Sequence, residues 1–220
     1  MIKFNEITFL LGTDNTLPNT LVHRLRVKFP SCDISTATSL SELKGGQLLV
    51  ALSFGELVPK ASLEKYRLAV VIHASALPEG RGWSPANWQL EQLKTEIPVS
   101  LITMAEKIDR GEIIDQISVE VPLGELWADF VPKFQNAQEE LIVRLISGKL
   151  DARRFRNQEG PGTYFRKRSP LDSEIDPEVS LASQWGKLRA SDATRFPNFF
   201  FLHGNKYLIE LTRVDSDENR

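Results

Sequence analysis

The chain has 220 residues, a net charge of −2 and one cysteine, Cys32; that length and an apolar share of 41% suffice for a sizeable core, as one domain with an appendage or two small ones. A near-neutral balance with pI 6.0 argues against a protein that binds by neutralising nucleic-acid phosphates. The lone cysteine excludes an internal disulfide and a multi-cysteine zinc site, and with no basic-plus-apolar leader or membrane-length apolar run the expected location is the cytoplasm, away from membranes.

Asn5 to Gly12, NEITFLLG, reads as a buried strand ending at glycine, and Leu17, Leu21, Leu25 and Phe29 then recur at helical spacing. A weak strand, CDIS, a Ser/Thr-rich connection, the apolar QLLVALS, a helix over PKASLEKY and the apolar LAVVIHAS follow. Short apolar strands alternating with helices predict an α/β fold with a Rossmann-like, mostly parallel sheet and flanking helices. Ser84-Pro85 opens a helix over ANWQLEQLK. Two more strands, IPVSLITM and EIIDQISVEV, are separated by the turn EKIDRGE. Leu126, Phe130, Phe134, Ala137, Leu141 and Leu145 then mark a long helix, with Pro132 a candidate kink.

Composition changes at about residue 151, which divides the chain into a core, 1–150, and a small C-terminal lobe, 151–220. In RRFRNQEGPGTYFRKRSP, Arg153, Arg154, Arg156, Arg166, Lys167 and Arg168 outnumber Asp151 and Glu159. A short helix around LASQWGKLRA and a hairpin of NFFFLH with KYLIELTR close the chain, before a frayed VDSDENR end. The aromatic hairpin either caps the core or forms a homodimer interface.

Three features carry candidate chemistry: His73 at the end of an apolar strand, Asp109 in IDRGEI, and the basic FRKR run. Each also has an ordinary reading, as a hydrogen-bonded histidine, an Asp-x-Gly turn and a solvated face. His73 gains weight from its place between a strand's C-terminal end and a helix start, where open α/β sheets bind ligands. His23 and His203 have no such setting. No G-x-G-x-x-G, Walker loop, H-E-x-x-H or G-x-S-x-G is present, so cofactor-nucleotide, kinase, zinc-protease and α/β-hydrolase readings lack their signatures.

The text VIHASALPEGRGWSP followed by IDRGEI resembles the folate-dependent formyltransferase family, whose strand ends in Asn-x-His-x-Ser-Leu-Leu-Pro and is followed by Arg-Gly, a proline-started helix and an Asp-x-Gly-x-Ile/Met turn. His73, Ser75, Leu77, Pro78, Arg81, Gly82, Pro85, Asp109, Gly111 and Ile113 fall on that pattern, with Asp109 36 positions after His73. The resemblance covers about residues 1–150, and GTYFRKRSPLDSEID is similar to the segment after the core in amino-sugar-nucleotide N-formyltransferases. It implies the formyltransferase fold and transfer of a formyl group from 10-formyltetrahydrofolate to a primary amine, with no metal. His73 and Asp109 would be the catalytic acid-base pair, because an imidazole can shuttle the amine's proton and a carboxylate can orient it.

The family asparagine, an oxyanion donor, is replaced here by Val71. Ser75, Asn87 or a backbone amide would have to take its place, or the chain has lost turnover and only binds folate or a nucleotide sugar. Leu57, Val58, Met104, Ala105 and Ile108 would line the folate pocket. Arg81, Gly82, Lys167 and Arg168 would meet the diphosphate of the second substrate, with Trp83, Tyr164, Phe165 or Trp185 stacking on its base. The acceptor implied is a nucleotide-linked amino sugar, such as a 4-amino-4,6-dideoxy sugar on the route to a surface glycan. Glycinamide ribonucleotide and aminoacyl-tRNA are the alternatives, the second disfavoured by the short, weakly basic tail.

Overall fold

The computed structural model describes residues 4–12, 17–150 and 155–214. Arg153, Arg154 and residues 215–220 of the sequence reading lie outside the described residues, as does its division at 150/151.

Six strands form one sheet: β1 (Glu6–Leu11), β2 (Asp33–Ala37), β3 (Gly46–Leu52), β4 (Tyr66–His73), β6 (Glu96–Thr103) and β7 (Ile113–Glu120), in the order β2-β1-β3-β4-β6-β7. The first three pairings are parallel. The last two, β4 with β6 and β6 with β7, are antiparallel. The fold is therefore the Rossmann-like α/β class that the alternation predicts, with the parallel half at one side.

Sequence period explains the layers. Ile7, Phe9, Leu48, Val50 and Val70 turn to one face, where they join the main core with Leu21 and Leu25 of α1 (Leu17–Lys28) and Leu141 and Leu145 of α4 (Trp127–Ile146). The alternate residues Leu10, Leu49, Ala51 and Ala69 turn to the other face and pack with Val58 and Tyr66, and with Leu63 of α2 (Lys60–Leu63). Strands buried on both faces read as continuous apolar runs, which is why they stand out in the sequence. Pro132 lies in the second turn of α4 without ending it, and Asp129 caps that helix by accepting the Leu126 N–H at 2.9 Å.

The C-terminal segment is tied to the sheet by hydrogen bonds. Arg156 exchanges two backbone bonds with Ile113 at the start of β7, at 2.8 and 3.0 Å. The two-residue β8 (Tyr164–Phe165) runs parallel to β5 (Arg81–Gly82). α5 (Trp185–Arg189) packs on α3 (Pro85–Glu91) so closely that a Cβ at Gly186 would lie 2.0 Å from the Glu91 carbonyl oxygen. β9 (Asn198–Leu202) and β10 (Asn205–Ile209) form the predicted hairpin. Its second strand ends at Ile209, short of the predicted Arg213, and the α2 and α5 helices are likewise shorter than their sequence signals; the last residue of the predicted α2 segment, Tyr66, instead opens β4.

Arg189 is fully buried, and its guanidinium donates to the carbonyls of Lys94, Val121, Pro122 and Glu125, at 3.4, 3.2, 2.9 and 3.1 Å. Burial holds its pKa below the usual range, and the Glu125 charge opposes that shift. Four backbone oxygens from the β7–α4 connection and the loop after α3 thus depend on one side chain of the C-terminal segment. Among the described residues no helix is long and apolar enough to cross a membrane.

Removing this side chain orphans buried carbonyls, so Arg189→Ala should cost about 3 kcal/mol in urea denaturation, and Arg189→Lys should recover little of it, since an ammonium lacks the planar fork. A loss below about 0.5 kcal/mol would mean that water replaces the guanidinium at no cost.

Candidate functional site

His73 is the last residue of β4, on the same face as Ala69 and Val71, and only 7% exposed. Its Nε2 lies 2.7 Å from the Gly80 carbonyl, which can only accept, so Nε2 carries a proton. Its Nδ1 lies 3.4 Å from Asp109 Oδ1, and the Asp109 side chain is 9% exposed. Both ring nitrogens thus face oxygen acceptors.

Asp109 stands in the left-handed region, φ +55°, and its Oδ2 accepts the backbone N–H of Gly82 at 2.8 Å. That contact explains the glycine. Gly82 has φ +96°, and a Cβ there would lie 2.3 Å from the Phe165 carbonyl oxygen and 2.8 Å from the Tyr164 ring. Only a residue without a side chain lets the 81–82 strand, its partner 164–165 and the Asp109 carboxylate meet.

The turn after His73 is held by hydrogen bonds from several elements. Gln89 donates to the Ala74 carbonyl at 2.6 Å, and Ser100, directly across from His73 on β6, donates to the Ser75 carbonyl at 2.6 Å. Gln116 donates to that Ser100 hydroxyl at 2.8 Å. From the C-terminal segment, Thr163 Oγ1 accepts the Gly80 N–H at 2.8 Å and the Thr163 carbonyl accepts the Arg81 N–H at 3.1 Å.

Arg81, 8% exposed, points inward, where Nε and Nη2 donate to Gln158 Oε1 at 3.1 and 2.7 Å and Nε also reaches the Asp109 carbonyl at 3.3 Å. Burial first, then repulsion from Arg110, lowers its pKa from the ordinary arginine value, while the Asp109 charge acts the other way. The sequence reading gives Arg81 to a substrate diphosphate; in the structure its Nε and Nη2 donate within its own chain.

The remaining predicted residues divide into two groups. Trp83 lies against Gly55 of the loop after β3, with the Lys167 ammonium 4.8 Å from its ring, and Tyr164 is 63% exposed over Gly82. These three stay beside the His73–Asp109 pair with solvent-facing surface. Arg168, by contrast, is paired with Glu91 at 2.6 Å and packs over Trp88, which also stacks on Phe165. Trp185 gives its indole N–H to the Leu123 carbonyl at 2.7 Å, and Asn87 gives its amide to the Ala190 carbonyl at 2.9 Å, both on the α5 side of the molecule.

Of the predicted folate pocket, Val58 and Met104 pack with Val71 in one apolar cluster. Leu57 and Ile108 are about half exposed, and Ala105 is half-buried between them and the sheet end. A Lys60–Glu106 ion pair at 3.0 Å joins the loops that carry these residues. Val71 also contacts the Leu77, Ile102 and Ile113 cluster, so the position of the family asparagine serves apolar packing here. The Ser75 hydroxyl is buried, with no hydrogen-bond partner among the described residues. Among those residues no group of three or more His, Cys, Asp or Glu side chains could hold a metal ion.

Sequence reasoning missed Gln158 and Thr163. Both lie in the glycine- and proline-rich stretch, where neither period nor motif marks a residue.

The sequence profile of the formyl transferase family matches residues 33–146. Methionyl-tRNA formyltransferase from Bacillus thuringiensis is 32% identical over 126 residues, covering 55% of this chain and 40% of that protein. The chain thus matches well under half the length of such curated relatives. A sugar N-formyltransferase from a Shewanella species superposes with a TM-score of 0.72 at 17% identity, covering 94% of this chain and 97% of the other. HypX from Aquifex aeolicus in complex with tetrahydrofolic acid gives 0.77 at 18% identity, covering 92% of this chain and 36% of its own. At those identities the two structures speak for the fold alone.

The contacts at Gly82 predict that Gly82→Ala lowers stability by about 2 kcal/mol or more and frees the Asp109 carboxylate from its anchor. Denaturation together with a structure of the variant checks this; an unchanged Asp109 position would show that the strand pair accommodates the methyl group and keeps the amide contact.

Proposed function

Since the chain belongs to the formyl transferase family, we propose that it moves a formyl group from 10-formyltetrahydrofolate to the primary amine of a nucleotide-linked amino sugar, in the cytoplasm, on the route to a surface glycan. The observation that carries this is the pairing of His73 and Asp109 at the mouth of the parallel half-sheet, each nearly buried and each held by a glycine of the same turn.

The folate would lie on the Val58–Met104–Val71 surface between the exposed Leu57 and Ile108, an apolar floor with apolar walls that suits a flat aromatic ring system. When bound, it supplies the formyl carbon. The chain's own task is proton movement and positioning. The amine must lose a proton as its nitrogen bonds to that carbon, and the nitrogen that leaves must gain one. The 3.4 Å Nδ1–Oδ1 contact, the longest of the side-chain polar contacts of the pair, is the one open to exchange with a substrate amine, while the Gly80 and Gly82 contacts keep ring and carboxylate oriented. The second substrate would run past Trp83 and Tyr164, with Lys167 beside them as the cation for its diphosphate.

Incubation with 10-formyltetrahydrofolate and a panel of nucleotide-linked amino sugars, glycinamide ribonucleotide and methionyl-tRNA, read by mass, should add one CO to an amino sugar. His73→Ala and Asp109→Asn should each slow this by about 100-fold or more, the usual worth of general acid-base groups. Formylation of methionyl-tRNA alone would overturn the sugar assignment, and full activity in His73→Ala would overturn the mechanism.

The reading includes a homodimer through the terminal hairpin, whose Phe201, Tyr207 and Leu208 are 51%, 44% and 65% exposed. Light scattering should give twice the chain mass, falling to one chain mass in Leu208→Asp; a monomeric parent protein removes this part.

A further inference from the structure

We propose that Gln158 is a positioning residue for the His73–Asp109 pair, so that the reacting centre is complete only when the segment after the family core is in place. The inference rests on that pair being the reacting centre of the proposed formyl transfer. Gln158 lies beyond the 33–146 region that the family profile matches.

One side chain makes four polar contacts there. Its Nε2 donates to the Asp109 and Gly111 carbonyls, both at 2.8 Å, and its Oε1 accepts from Arg81 Nε at 3.1 Å and Nη2 at 2.7 Å. The two carbonyls bracket the turn whose first member, Asp109, holds φ +55°. A non-glycine residue in that region is strained and persists where its surroundings fix it. Gly111 is clamped from the other side, since a Cβ there would lie 1.6 Å from the Thr103 carbonyl oxygen. The amide of Gln158 thus pins the turn that aims the Asp109 carboxylate at His73.

Its carbonyl oxygen does a second job. Arg81 is a buried cation whose hydrogen-bond acceptors here are neutral oxygens, on Gln158 and on the Asp109 backbone. A carboxylate at position 158 would pair with that cation and neutralise it beside the reacting centre. The amide oxygen accepts from Nε and Nη2 and leaves the positive charge to act on Asp109. Both ends of the glutamine are therefore needed, a donor for the turn and a neutral acceptor for the arginine, and no other side chain of that length supplies both. The glutamine is itself carried by the strap that begins at the Arg156–Ile113 bridge and ends at Thr163, which holds Gly80 and Arg81.

The test compares Gln158→Leu and Gln158→Glu with the parent, using Arg189→Lys as a control that is destabilised away from the site. The chain has three histidines, His23, His73 and His203, so the ring ¹⁵N signals of His73 are identified by their loss in His73→Ala. Both Gln158 variants should lower kcat about tenfold or more with KM within about twofold, move the pH–rate profile, and change the His73 ring signals. The control should change none of these. Should Gln158→Leu fail to fold, Gln158→Glu alone decides, since it keeps size and polarity. Folded variants with parental kcat, pH profile and His73 signals would overturn the proposal. A change in the His73 signals together with parent protein that formylates no amine would keep the positioning role and overturn the formyl-transfer reading.

Discussion

A carboxylate that is nine-tenths buried has to be compensated locally, and in this molecule the compensation of Asp109 organises everything around it. Its two oxygens have separate partners, the His73 ring and the Gly82 amide, which come from the two ends of one turn. The sheet topology makes this hard to arrange. Because β6 runs antiparallel to β4, the chain leaves β6 beside Ala69, where Met104 N–H meets the Ala69 carbonyl at 2.8 Å, well short of His73. The loop that follows must cross the face of the sheet to return Asp109 to the strand end. It does so with a left-handed turn, a glycine pressed on β6 and bonds from a side chain outside the sheet, features that would be needless if the carboxylate did not have to reach His73.

Charge follows the same logic. Arg81, His73 and Asp109 are all nearly buried, and the arginine's hydrogen-bond acceptors here are neutral. A positive charge placed there attracts the Asp109 side chain and any negative charge that develops nearby. That bears on Val71. A side chain without a donor stands where the family has an asparagine, and it packs with Leu77, Ile102 and Met104. Asn87 is occupied at Ala190, while the buried Ser75 hydroxyl has no hydrogen-bond partner among the described residues. The field of a fixed guanidinium is longer-ranged than a hydrogen bond and needs no contact, which suits a site whose nearest donor has been replaced by a methyl-bearing side chain.

The strands could be read from sequence because their burial on both faces leaves unbroken apolar runs; β2, at the edge, gave the weakest signal, and its pattern is buried at only Ile34 and Ala37. The helices were found by period, yet α2 and α5 were overdrawn, since propensity does not say where packing stops. His73 and Asp109 came together in the reading only through a family resemblance, as nothing local to either residue says that a loop will cross the sheet. Arg168 shows the limit of reading charge. Its sequence neighbours suggest a free basic run, and only the fold reveals Glu91, 77 positions away, as its partner. Gln158 was invisible for the opposite reason, an uncharged residue in a stretch without period, whose importance lies wholly in what it touches.

The division between matched core and unmatched tail then takes on a physical meaning. The core brings the histidine, the aspartate and the arginine, the titratable groups of the proposed site. The tail brings an amide, a threonine and two backbone carbonyls, which hold those groups still, together with Tyr164 and Lys167 on the open side. A site built this way can keep one reaction while the surface next to it changes. The same segment that fixes Arg81 and the Asp109 turn also presents the exposed ring and the ammonium past which the second substrate would run in the proposed reading. In that reading, orientation of the acid-base pair and choice of acceptor share one strap of about ten residues, from the Arg156 bridge to Phe165. The residues past which the acceptor would run share a backbone with those that hold the carboxylate against the histidine.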